Sequence, residues 1–261
     1  MSPSTITGIN RLPVSEKREI YSRIIPPTLI NHFNLSPDFI DQQGNELLSF
    51  NFSSGSPSVE MVLRHHIDFP DPVQYGHLTD TINGQIHVLL YILNDPDSPR
   101  FDVDKLPDGQ TTVFGTKKRN IEAEISALNA GLAPGQVRRG LRMLSKAMTT
   151  FEDFVTSLQQ DIYFVEPLYY HNAVIFEKYG FAYQKGLKLM ERIQSGFSPH
   201  GDLFKKLDFS TSFRSSNAIN SVRLRSWAIH DNILGEAFSE VTMYKYVGKY
   251  ADVTTCRDCT W

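Results

Sequence analysis

Apolar side chains recur at every second position through residues 48–92, then at spacings of three and four through residues 137–158. A period of two belongs to half-buried strands and a period near 3.6 to an amphipathic helix, so this change of period demands both kinds of structure. Leu48, Phe50 and Phe52 share one strand face; Ser53-Ser54-Gly55-Ser56 turns the chain, and Val59, Met61 and Leu63 return. A second hairpin is framed by Leu78 and Ile82 on one arm and Ile86, Val88, Leu90 and Ile92 on the other. Asn83-Gly84 between them predicts a type I′ turn that pairs 82 with 85 and 80 with 87. Val137, Leu141, Leu144, Met148, Phe151, Val155 and Leu158 form one stripe and predict a long helix over residues 136–160.

The flanks are read the same way. Ser15 suits a helix N-cap ahead of Ile20, Tyr21 and Ile24, with Pro26-Pro27 as the stop and a short helix over 28–33. Residues 94–109, rich in Asp, Pro, Ser and Gly, predict a surface loop. A strand is expected over 161–168, helices over 172–179 and 187–194 with Gly196 as a stop, and strand-like alternation in Val222, Leu224, Val241, Met243, Tyr244 and Tyr246. The fold class expected is α+β (mixed α/β), a central, largely antiparallel sheet flanked by helices. At 261 residues the chain suits a single domain, with a helical extension over 1–45, a core over 46–181 and a helix-and-strand extension over 182–261.

A content of 41% hydrophobic and 21% charged residues fits a packed globule. The net charge of −3 supplies no field for nucleic acid or an anionic membrane, so any anion site must be local and the expected partner is a small-molecule ligand. A homodimer is left open. The N-terminus reads as free of a signal peptide, and Val88-Leu89-Leu90-Tyr91-Ile92-Leu93 is far short of the ~20 apolar residues of a spanning helix. Only two cysteines occur, Cys256 and Cys259. They exclude a disulfide framework and point to the cytoplasm, with two reduced thiols favoured over half of a zinc site.

Charge gathers at one place. Arg138, Arg139 and Arg142 fall at the start of the expected long helix, where cations oppose the macrodipole. A bound anion would reconcile them with the helix N-terminus; extension into solvent, or pairing with Glu122, Glu124 or Asp161, is the bland alternative. Leu132-Ala133-Pro134-Gly135-Gln136-Val137-Arg138-Arg139-Gly140-Leu141 resembles the strand–loop–helix of GNAT-type N-acyltransferases, and Phe176-Glu177-Lys178-Tyr179-Gly180-Phe181 resembles a late signature of that family. Together the two segments cover about residues 120–181.

The resemblance implies a GNAT-like core and an acetyl-CoA or other acyl-CoA co-substrate. Its pyrophosphate would be held near Leu132, Gln136, Arg138, Arg139, Gly140 and Arg142. It also implies Glu124 as a proton acceptor on a strand, although the residues after Asn120 read equally well as a helix. Where the family's loop begins with Gln or Arg this chain has Val137, and Arg142 replaces the final small residue. Phe176 stands at the usual position of a proton-donating tyrosine, which leaves Tyr179 as the nearest substitute.

Two other functions compete: a non-catalytic ligand-binding or regulatory protein on the same scaffold, and a metal-dependent enzyme using scattered histidines. No His-x-x-x-His or Glu-x-x-His spacing occurs among the eight histidines, so no metal is predicted. His171 and His230 are the two that merit inspection, since both are expected to follow strands.

Overall fold

A computed structural model describes residues 3–112 and 117–261. Three short helices open the chain: α1 (Ile6–Ile9), α2 (Val14–Ser22) and α3 (Pro27–His32). Strands β1 (Leu48–Asn51), β2 (Ser58–Leu63), β3 (Gln74–Asp80) and β4 (Ile86–Leu93) follow, then helices α4 (Ile121–Asn129) and α5 (Leu144–Ser157). The remainder is β5 (Ile162–Val165), α6 (Tyr170–Lys178), β6 (Ala182–Lys185), α7 (Leu187–Phe197), α8 (Val222–His230) and β7 (Thr242–Tyr246). The strands follow the order β1-β2-β3-β4-β5-β7-β6 in an open, mostly antiparallel sheet, which makes the fold α+β. Among the described residues no helix is long and apolar enough to cross a membrane.

Two compact units emerge. The first holds the chain up to Pro96, Gly140–Glu166 and Tyr244–Tyr250; the second holds Asp97–Arg139, Pro167–Met243 and Ala251–Trp261.

In the first unit both hairpins form, because each alternating run buries one face: Leu48, Val59, Met61, Leu63, Leu78 and Ile86 are all nearly inaccessible. The tight turn differs from expectation. Thr81 N–H donates to the Gln85 carbonyl (2.8 Å) and Gly84 N–H to the Thr81 carbonyl (2.9 Å), enclosing three residues instead of two. Of the Asn-Gly pair only Gly84 takes a positive φ, 78°, as a three-residue loop with a left-handed last residue requires. The register therefore sets Thr79 opposite His87 and Asp80 opposite Ile86.

Helix α5 buries Ala147, Phe151, Phe154 and Val155. It starts at Leu144, eight residues later than the apolar stripe suggests. Arg142 sits at φ 57°, a left-handed conformation that no α-helix can run through, and Gly140 forms an isolated antiparallel bridge with Asn94. Val137 and Leu141 keep helical spacing by coincidence.

The second unit has its core in Val103, Ala127, Leu128, Leu132, Phe213 and Trp227. The Phe213 and Trp227 rings stack at 5.1 Å, and the indole N–H donates to the Leu132 carbonyl at 2.8 Å. Two expectations fail here. Residues 222–230 are a helix, not a strand: the Ser221 side chain accepts from the Leu224 N–H as its cap, and Val222, Arg225, Ser226 and Ile229 line its buried face at helical spacing. Gly196 does not stop α7, which runs on to Phe197; a β-carbon there would lie 2.6 Å from Leu203, so the glycine permits close approach.

The C-terminal segment corrects a third expectation. Cys256 and Cys259 are joined in a disulfide, with Cα atoms 5.5 Å apart, instead of remaining thiols. The segment is tied down by Thr255, which bonds to Glu177 through its N–H (3.0 Å) and hydroxyl (2.6 Å).

Candidate functional site

One candidate lies within the first unit, at the carboxyl end of β4. Leu78 pairs with Val88 but His77 pairs with Leu90, so Leu89 is the extra residue of a β-bulge. Bulges bend a strand and increase its twist. The parallel pairing with β5 covers only Ile86, His87 and Val88, and since β5 ends at Val165 the residues of β4 beyond Val88 have no partner in it. Leu89, Leu90, Tyr91, Ile92 and Leu93 are all partly exposed although β4 is the fourth of seven strands. A crevice outside the carboxyl ends of neighbouring parallel strands is where open sheets take ligands.

Helix α5, the crossover from β4 to β5, begins at the same place. Gly140 bridges Asn94, and a β-carbon on it would stand 3.4 Å from the Leu93 carbonyl oxygen, so the glycine lets the loop lie against the strand end. The N-cap of α5 is Met143, which offers no side-chain bond, and its first turn holds no acid. Its leading N–H groups thus keep the positive end of the helix dipole unanswered by side chains, beside the exposed Arg142 and Lys146. Polar groups on the sheet add to this. The Tyr91 hydroxyl and both amide atoms of Gln74 are buried without a hydrogen-bond partner among the described residues. Both residues share one sheet face, since Gln74 stands opposite Leu93 and Gly76 opposite Tyr91. Burial pushes the Tyr91 phenol up from its ordinary value, keeping it protonated.

The other residues expected to hold a cofactor have different work. Arg138 is buried and donates to the Ser98 carbonyl. Arg139 is exposed, its backbone N–H donating to Ser98 Oγ (3.1 Å) and its guanidinium to the Ala130 carbonyl (3.4 Å). Gln136 accepts from the Ala133 N–H at 2.7 Å, and Leu132 is buried in the second unit's core. These residues shape the loop before Gly140. Only Gly140 and Arg142 of the expected set stand at this end of β4.

A second candidate lies within the second unit and gathers the chemistry expected of Glu124. This residue is on helix α4, not on a strand, and its side chain is 2% exposed. Arg119 donates twice to its Oε2 (2.9 and 2.6 Å), and His230 Nε2 lies 3.0 Å from its Oε1. Burial alone would raise its carboxyl, but the bonds from His230 and Arg119 outweigh that and hold it below the usual range. Arg119 also reaches Asp231 (3.0 Å), which Arg214 meets at 3.1 Å and Thr211 at 2.8 Å.

Beside this network His171 Nδ1 is 2.9 Å from Ser226 Oγ and 3% of His171 is exposed. Burial, with His230 nearby, pushes His171 down to about 3. His171 follows strand β5 as expected, at the start of helix α6, whereas His230 ends helix α8 and does not follow a strand. A cavity of about 550 Å³ opens among Tyr169, Ser226, Ile229, His230 and Phe238, with Lys117 and Lys118 on its wall. Tyr179 is the half-buried C-cap of α6, and Phe176 packs on Phe181 at 5.1 Å.

Arg119, Asp231, Arg214 and Ser226 carry much of this second site and were not legible in advance. Only the His230-Asp231 pair offered a signal. Among the described residues no group of three or more His, Cys, Asp and Glu side chains is arranged to hold a metal ion. No known protein family, curated protein or solved structure matches the chain.

Proposed function

We propose that this chain is an acyl-CoA-dependent acyltransferase acting on an amine, with the crevice at the end of β4 as the acyl-CoA site. The observation that carries the reading is the coincidence of a bulged strand that outruns its parallel neighbour with the uncapped N-terminus of α5. Acyl-CoA offers both partners such a place needs. Its pyrophosphate suits the free N–H groups of the first turn together with Arg142 and Lys146. Its pantetheine arm carries peptide-like amides that suit a strand edge without a neighbour, and the apolar side chains of residues 89–93 suit its methylenes. The resemblance of residues 120–181 to GNAT-type enzymes points the same way.

In the reaction a neutral amine attacks the thioester carbonyl, a main-chain N–H of the bulged strand stabilises the oxyanion, and the C–S bond breaks as the thiolate leaves, the proton lost by the amine nitrogen passing to solvent water. Glu124, ionised and committed to Arg119 and His230 within the second unit, is not the base on this reading. A cytoplasmic location belongs to the same reading, since acyl-CoA is an intracellular acyl carrier.

Phe176 favours a second version in which acyl-CoA is bound without turnover, because nothing at that position can return a proton to the thiolate. Thermal denaturation tests the shared claim. A ligand that binds only the native state at a hundred times its Kd stabilises by about 2.7 kcal/mol, so saturating acetyl-CoA should raise Tm by several degrees. Arg142→Glu with Lys146→Glu should erase that shift. No shift at millimolar acetyl-CoA rejects both versions, and steady release of CoA with an amine present separates them.

A further inference from the structure

We infer that the cavity of the second unit is a separate binding site for a small apolar or aromatic molecule bearing a hydroxyl group at its buried end and an anionic group at its open end. Hydrogen-bond direction carries the first half of this. The Tyr169 backbone N–H can only donate, and it meets Asn172 Oδ1 at 3.2 Å, which fixes the amide. Asn172 Nδ2 therefore donates to His171 Nε2 (3.2 Å), and the neutral ring keeps its proton on Nδ1, facing Ser226 Oγ at 2.9 Å. Ser226 Oγ is thus an acceptor toward His171, and the hydrogen of its own hydroxyl has no acceptor among the described residues. The residue is 1% exposed and lines the cavity.

One helical turn further along α8, His230 lines the same cavity. Its Nε2 faces Glu124 Oε1 at 3.0 Å, and an ionised carboxylate only accepts, so the Nε2 proton is spent on Glu124 and Nδ1 has no partner among the described residues. A hydroxyl group accepts from Ser226 and can also donate to or accept from Nδ1 of His230, so it meets both.

The rest of the ligand follows from the walls. Tyr169, Ile229 and Phe238 present apolar surface, and about 550 Å³ suits a molecule of one or two rings. Lys117 and Lys118 are exposed, Lys118 donating to Gln110 Oε1 at 2.7 Å; Glu236 is the one acid on the same lining, and Arg119 is neutralised by Glu124 and Asp231. The excess of positive charge selects an anion at the open end. This inference stands whether or not the first unit binds acyl-CoA.

Calorimetric titration with 4-hydroxyphenylacetate, phenylacetate and tyramine tests each half. The hydroxy acid should bind about fivefold or more tighter than phenylacetate, which lacks the hydroxyl, and tighter than tyramine, which carries the opposite charge. Ser226→Ala should bring the two acids level. Because that change also leaves the His171 N–H without its acceptor, Lys117→Ala with Lys118→Ala on the exposed wall is the companion test: about threefold weaker binding of the hydroxy acid at an unchanged Tm. Equal affinity of the two acids for the unaltered chain overturns the hydroxyl end, unchanged affinity in the double lysine variant overturns the anionic end, and no saturation at about 10 mM overturns the site.

Discussion

Inside the first unit, Gln74 and Tyr91 bury polar atoms that no described residue answers, and α5 starts without a cap. Inside the second, the Tyr170 hydroxyl is likewise unanswered, but the buried charged groups are answered several times over. Glu177 takes the Tyr183 hydroxyl (2.5 Å) and two bonds from Thr255, and Arg225 reaches the Ala218 and Ile219 carbonyls, Gln194 and Cys256. Glu124 takes three bonds, two from Arg119 and one from His230. An unanswered buried group costs stability, so a chain keeps one where something else is to be bound; a fully answered network costs less and fixes positions. The first unit thus advertises its ligand through what it leaves open, and the second through a rigid frame around a cavity.

Among substitutions, breaking the frame should have the largest effect. Glu124→Ala leaves His230 without its partner and Arg119 with Asp231 alone, and should cost about 2–3 kcal/mol in denaturant unfolding, while Glu122→Ala, exposed two positions earlier, should stay within about 0.5 kcal/mol. Similar losses at the two positions would mean that the network is ornamental.

Acid should act next. With His171 near 3 in the folded chain and near 6.5 when unfolded, the unfolded state binds the extra proton between those values. Stability is complete above about pH 6.5 and falls as pH drops toward 3, by up to about 4 kcal/mol. The depressed carboxyl of Glu124 adds a loss of the same sign as pH falls from the ordinary carboxylate value toward its lower folded one. His171→Gln should flatten the upper part of that curve; an unchanged slope would remove His171 from the account.

The smallest effect separates the units most sharply. Tyr91→Phe removes an unanswered hydroxyl and should raise stability by about 1 kcal/mol, whereas Tyr183→Phe removes a bond to Glu177 and should lower it by about 1–2 kcal/mol. Two changes of equal sign would erase the contrast.

Much of the first unit was legible because period-two runs leave no other solution. The errors there are local. The Asn83-Gly84 loop gained a residue because Thr81 pairs with Gln85, and the start of α5 moved because Arg142 is left-handed. The second unit was far less legible. Helix α8 buries Arg225 and Ser226, so apolar periodicity underreports it. Glu124 and His230 meet across 106 positions, and no local pattern announces a pair held together by distant packing. Arg138 and Arg139 drew notice as charge, yet a sequence does not say that the Ser98 and Ala130 carbonyls claim them.

The anion-binding role of the α5 N-terminus is tested most directly by amide hydrogen exchange over residues 140–147 with saturating CoA. The account predicts about tenfold or greater slowing of the N–H groups of Leu141, Met143, Leu144 and Ser145, with no such change when pantetheine, which lacks the phosphates, is added instead. Exchange at those positions that stays the same with CoA bound would contradict it.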